Sequence, residues 1–243
     1  MHQALDPGGA NAKHGHMQEL VAPDFLPEHP LPLGDAEIHL WFFAQWTATQ
    51  EVAQSSPLRA LLAGYLGCAP GQLRIERDAH GKPRLLEPSD PGSWTTLEFN
   101  LSHSGGALLV GVSRGQGLGV DLESPRRARP VLELARRYFD PAEAKALAEL
   151  PDDRREKAFL QLWTCKEAVL KALGRGIAFG LDRVVFELDA AGAVICLQAL
   201  DGESAPGQWH IVRLLPAATY SGALAWRGPA RAIHAWAGRP PGP

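Results

Sequence analysis

The sequence predicts an α+β fold of two similar halves in one chain, each an antiparallel sheet packed with a long helix. Three observations carry this prediction. Strands and helices come in runs and not in a steady strand–helix beat, which argues against a parallel α/β sheet. The elements fall into two rounds separated by a polar, Gly-containing joint, Ser113 to Gly117 (SRGQG). The chain has 243 residues, 45% hydrophobic and 21% charged, enough for one large domain or two small ones with real cores.

Taken in order, residues 1–34 read as a flexible leader: His2, His14 and His16 sit in a Gly/Ala/Asn-rich setting that suits a solvated tail better than a metal site. The first half, 35–115, opens with a strand over Glu37 to Ala44 and a helix over Ser56 to Gly67, with a Ser-Pro start and a Gly stop. A short strand, a turn at Asp78 to Gly81 and a second short strand follow. LEFNLSHSGGALLVGVS then reads as a hairpin turning on Gly105-Gly106. The second half, 116–237, begins with the strand LGVDLE. PVLELARRYFDPAEAKAL holds one helix and the start of another, DRREKAFLQLWTCKEAVLKAL is a long helix, and VVFELDAAGAVICLQAL, WHIVRLL and YSGALAW supply strands with an Ala-Gly turn. Residues 238–243 (GRPPGP) read as a flexible tail.

A net charge of −3 argues against a nucleic-acid-tracking surface, so any phosphate binding has to be local. Cys68, Cys165 and Cys196 are odd in number and lack CxxC spacing, which fits small hydrophobes in a reducing compartment. No window approaches the ~18 apolar residues of a membrane span, and no signal-like apolar core opens the chain. The expectation is a cytoplasmic monomer with neither nucleic-acid nor membrane partners.

The chemistry starts in GLGVDLE. Residues two apart on a strand face the same way, so Asp121 and Glu123 project together while Val120 and Leu122 face the core. Two crowded carboxylates suit a hard cation such as Mg²⁺; the alternative is a solvent-facing edge carrying two acids. In WTCKEAVLKALGRGI, Glu167 and Lys171 stand one helical turn apart. They read either as a surface ion pair or, with Lys166, as a third oxygen ligand or base flanked by point charges for phosphate. In FNLSHSGG, Ser102 and His103 point to opposite faces of a strand and cannot form a nucleophile–base pair, and no G-x-S-x-G elbow is present. His103 reads as a core histidine or a phosphate donor, with Lys82 in GKP nearby.

GKPRL, FNLSHSGG, GVDLE and LWTCKEAVLKALGRGI, in this order over Gly81 to about Ile177, closely resemble the 4′-phosphopantetheinyl transferases. The resemblance is to the large surfactin-synthetase-type branch, built as a pseudo-dimer in one chain. It implies a Mg²⁺ enzyme, with Mn²⁺ as a substitute, that moves the phosphopantetheine arm of coenzyme A onto a serine of an acyl or peptidyl carrier protein. Adenosine 3′,5′-bisphosphate would be released. The rival readings are a Mg²⁺-dependent nucleotide or diphosphate hydrolase and a catalytically weak, carrier-binding relative.

Position by position, the resemblance implies Asp121, Glu123 and Glu167 around the metal, with Glu167 also drawing the proton from the carrier serine. Lys166 and Lys171 would hold the diphosphate, Gly81, Lys82 and Pro83 would line the adenine, and Ser102 and His103 would hold the 3′-phosphate. Glu143, in FDPAE, matches a family acid. One stretch departs from the pattern: a basic helical segment expected before LRALLAGYLG is short here, with Arg59 its only basic residue. Arg126, Arg127, Arg129, Arg136 and Arg137 form a basic run suited to an acidic carrier, or simply a solvated basic face.

Overall fold

The computed structural model describes residues 17–21, 25–26, 32–46, 56–78, 81–86, 96–124, 129–175, 179–201 and 208–238. Most of the expected leader, the tail after 238, the segment 47–55 and Arg126 and Arg127 lie outside the described residues.

Two sheets lie face to face with a helix on the outside of each. The first is five-stranded, in the order β2 (Phe25–Leu26), β13 (Ala232–Gly238), β3 (Glu37–Phe43), β7 (Ala107–Arg114), β6 (Leu97–Ser104). The second is four-stranded, in the order β1 (Gln18–Val21), β11 (Trp209–Leu215), β12 (Ser221–Arg227), β8 (Leu118–Glu123). Between them sits one core that takes Ile38, Leu40 and Leu109 from the first sheet and Val120, Leu122, Leu214, Leu224 and Trp226 from the second. Helix α1 (Pro57–Leu66) covers the outer face of the first sheet through Leu58 and Leu62, against Phe99, Leu108 and Val110. The long helix α4 (Asp152–Leu173) covers the second through Cys165, Ala168 and Val169, against Ala223 and Ala225. Central strands are therefore buried on both faces, which is why β7 and β12 read as apolar runs and not as alternating patterns.

Helix α2 (Val131–Tyr138) and helix α3 (Pro141–Glu149) lead into α4. Asp140 caps α3 by accepting from the Ala142 amide at 2.7 Å, and Glu143 reaches back to the Asp140 amide at 3.1 Å. α4 carries Asp152 and Asp153 in its first turn and Lys171 in its last, both matched to the helix dipole, and stops at Gly174 in the left-handed conformation. Small hairpins, β4 (Ile75–Arg77) with β5 (Pro83–Leu85) and β9 (Val184–Leu188) with β10 (Val194–Leu200), complete the chain.

Three placements differ from the sequence reading, and the parallel pairs among them make both sheets mixed where antiparallel ones were expected. The first is Phe25–Leu26, inside the expected leader, which pairs parallel to β13. Gln18–Val21, inside the expected leader, is a strand paired parallel to β11; four residues with only Leu20 buried show no period. The strand Ala232–Gly238, at the end of the second half, pairs parallel to β3 and so completes the first sheet. All three pairings are long-range, and local patterning does not encode them.

Candidate active site

The site is built where α4 lies on β8. Gly119 permits that approach: a Cβ there would sit 2.0 Å from the Ala168 carbonyl oxygen and 2.4 Å from the Ala172 nitrogen, both in the backbone of α4. With the helix seated this closely, Lys171 Nζ donates to Asp121 Oδ1 at 2.7 Å and to the Val120 carbonyl at 3.1 Å. Glu167, one turn earlier, is buried, and its Oε1 has no hydrogen-bond partner. Burial pushes the Glu167 carboxyl up to about 7; the negative charges of Asp121 and Glu123 add to the rise and Lys171 opposes it.

A second edge closes the site. β6 and β8 each end their sheet, and the side chains of β6 reach across in step. Asn100 Oδ1 accepts from the Val120 amide at 2.9 Å, Ser102 Oγ donates to Asp121 Oδ1 at 2.8 Å, and Ser104 Oγ donates to Glu123 Oε2 at 3.2 Å. Gly105 and Gly106, with φ of 59° and 81°, turn the hairpin as expected. Its tip rests so close to Ser124 that a Cβ on Gly105 would lie 2.6 Å from the Ser124 Cβ.

Asp121 and Glu167 thus lie about Lys171, and Glu123 joins them through space, but its carboxylate is turned to Arg129 Nη2 at 2.6 Å. Among the described residues, no three carboxylate, imidazole or thiol groups stand close enough as they are to hold a metal ion. Asp121 Oδ2, like Glu167 Oε1, is nevertheless buried without a partner. Two orphaned hard oxygens, on carboxylates near enough for Asp121 to raise the Glu167 pKa, fit a small cation better than they fit a dry core.

Other expected residues are placed elsewhere. Lys166 is fully buried on another side of α4, paired with Glu143 at 2.7 Å and bonded to the carbonyls of Leu181 and Val184, with Phe139 beneath its ammonium. Adjacent helical residues diverge by about 100°, so Glu167 facing β8 turns Lys166 away from it and out of the phosphate set. Arg59 donates to the carbonyls of Pro70 and Leu73, which holds a turn. Lys82 Nζ is bound to the carbonyls of Lys171 at 2.9 Å and Leu118 at 3.3 Å, so GKP does reach the site's edge, as a tie between the β4–β5 hairpin and α4. Gly81 is exposed and left-handed, with φ of 82°, and Pro83 opens β5. Ser102 and His103 do not converge: Ser102 is spent on Asp121, while His103 is exposed and turns to the opposite side of β6. Ser104, and Arg129 as a partner for Glu123, were not anticipated; the period-two polar pattern N-x-S-x-S was the visible signal for Ser104.

Fold and site together define an α+β protein that gathers Asp121, Glu167 and Lys171 where α4 lies on β8. Residues 117–225 match the family model described as the 4′-phosphopantetheinyl transferase superfamily. The chain is 45% identical over 121 residues to the 4′-phosphopantetheinyl transferase HetI of Nostoc sp., a match covering 50% of each protein. It is 34% identical over 165 residues to the 4′-phosphopantetheinyl transferase psf-1 of Bacillus pumilus, covering 67% of this chain and 64% of that one. Against the 4′-phosphopantetheinyl transferase Sfp of Bacillus subtilis it is 28% identical over 138 residues, covering 56% and 57%. The matches therefore span about half to two thirds of the length of these curated relatives.

Proposed function

We propose that this protein transfers the 4′-phosphopantetheine arm of coenzyme A to a serine of an acyl or peptidyl carrier protein, with Mg²⁺ as its metal. The observation that carries the reading is the pair of buried, unpartnered carboxylate oxygens, Asp121 Oδ2 and Glu167 Oε1, beside Lys171. Asp121 and Glu167 would hold the ion, joined by Glu123 through Oε1 while Ser104 and Arg129 hold its Oε2. Bound there, Mg²⁺ supplies charge neutralisation at the diphosphate.

The chain's own groups do the rest. Glu167 takes the proton of the carrier serine. The serine oxygen forms a bond to the β-phosphorus while the bond from that phosphorus to the bridging oxygen breaks, and adenosine 3′,5′-bisphosphate leaves. The Lys171 ammonium opposes the charge that grows on the leaving oxygen. His103, exposed at the end of β6, remains the candidate for the 3′-phosphate.

The pseudo-dimeric branch is supported by the repetition of one plan, a sheet with an outer helix, in the two sheets. A cytoplasmic setting fits Cys68, Cys165 and Cys196, all free thiols, and no described helix is long and apolar enough to cross a membrane.

Chromatographic detection of adenosine 3′,5′-bisphosphate tests the assignment. Its release from coenzyme A should require both apo-carrier and Mg²⁺, stop with EDTA, and be lost in Asp121→Ala. Release without carrier would instead identify a hydrolase.

A further inference from the structure

The metal-facing carboxylates are not held by β8 and α4 alone. Ser104 Oγ accepts from the Ser124 amide at 3.1 Å while lying 3.2 Å from Glu123 Oε2. A hydroxyl has one proton, and with a lone pair already engaged by an N–H donor, that proton is directed at the carboxylate. Ser102 does the same one step back: its buried hydroxyl donates to Asp121 Oδ1, the oxygen also held by Lys171, and leaves Oδ2 as the one without a partner. The two serines share a face of β6 because they are two apart, and Asp121 and Glu123 share a face of β8 for the same reason. Both serines precede the segment matched by the family model, 117–225, so the first sheet reaches to Asp121 and Glu123 in the second.

We propose that Ser102 and Ser104 are positioning residues for the metal: their hydroxyls fix the Asp121 and Glu123 carboxylates so that each presents one oxygen to the ion. Ser102 is thereby reassigned from the 3′-phosphate to Asp121. The proposal rests on the metal-dependent reading above, and orientation of ligating carboxylates by outer hydrogen bonds typically governs metal affinity by ~10–100-fold.

The test is Mn²⁺ binding to the full chain, followed by the loss of the free-ion EPR signal with no coenzyme A or carrier present. Ser102→Ala and Ser104→Ala should each weaken binding roughly ten-fold, at the low end of that range, and Ser104→Thr, which keeps the hydroxyl, should stay within about three-fold of wild type. Asn100→Ala removes a rung of the same ladder that touches no carboxylate. It should lower the thermal midpoint and leave Mn²⁺ affinity near wild type. Wild-type affinity in Ser104→Ala, half-buried and thus tolerant of truncation, would overturn the proposal, as would an equal loss in Asn100→Ala. Absence of Mn²⁺ binding by the wild type would overturn it together with the metal-dependent reading, an outcome distinct from failure of the serines alone.

Discussion

Replacing Lys166 with methionine removes a cation that the structure uses entirely inside the protein. The Lys166 ammonium is fully buried against a Glu143 carboxylate that is 2% exposed. Burial drives the lysine's pKa down and the acid's up, and each charge opposes the shift of the other. Breaking such a pair from one side leaves an uncompensated charge and costs about 3–5 kcal/mol. Here the carbonyls of Leu181 and Val184 also lose their donor. At about 2–4 °C per kcal/mol for a chain of this size, the thermal midpoint should fall by roughly 6–20 °C. Adding Glu143→Gln should recover part of the loss, because the amide needs no counter-cation while its carbonyl can still accept from the Phe186 amide now bonded to Glu143 at 2.8 Å. Urea and thermal unfolding followed by tryptophan fluorescence measure both variants. A Lys166→Met protein that unfolds at the wild-type midpoint but no longer binds coenzyme A would refute the reasoning and return Lys166 to the diphosphate.

Three further outcomes follow. Because the folded Glu167 carboxyl titrates at about 7 against an ordinary 4.5, the folded state binds more protons between those values, and metal-free stability should fall as pH rises through that window. Glu167→Gln should flatten this part of a urea-midpoint profile taken from pH 5 to 8, and parallel profiles would contradict it. Gly119→Ala drives a methyl into the α4 backbone, so it should cost at least ~1–3 kcal/mol and abolish transfer by lifting Lys171 from Asp121; a fully active, equally stable variant would disprove the close packing. Arg136 and Arg137 are exposed on α2, and reversing both charges should raise the carrier KM and reduce its salt dependence while leaving the coenzyme A KM unchanged. An unchanged carrier KM at low salt would remove α2 from the interface.

Where local rules decide, the sequence was legible. The Gly105-Gly106 hairpin and the strand GVDLE each follow from short-range sterics and hydrogen bonding. The meeting of Asp121, Glu167 and Lys171 was also visible, as acids and a lysine at strand and helix spacing. Lys166 was not. Its partner Glu143 lies on another helix, and only the rotation of α4 about its axis decides whether residue 166 or 167 faces β8. Arg59 and Lys82 teach the same point, since each satisfies backbone carbonyls that become neighbours only after folding. The parallel pairings of β1 with β11 and of β13 with β3 join the two ends of the chain across both rounds, and no local period signals them.

The central claim is transfer of a phosphopantetheine arm, and intact mass spectrometry of the acceptor measures it most directly. Several apo-acyl and apo-peptidyl carrier proteins would be incubated with coenzyme A, Mg²⁺ and this protein. At least one carrier should gain the mass of one phosphopantetheine group, and that gain should be absent with EDTA and with Asp121→Ala. Unmodified carriers after incubation with folded, Mg²⁺-loaded protein, or an undiminished gain with Asp121→Ala, would contradict it.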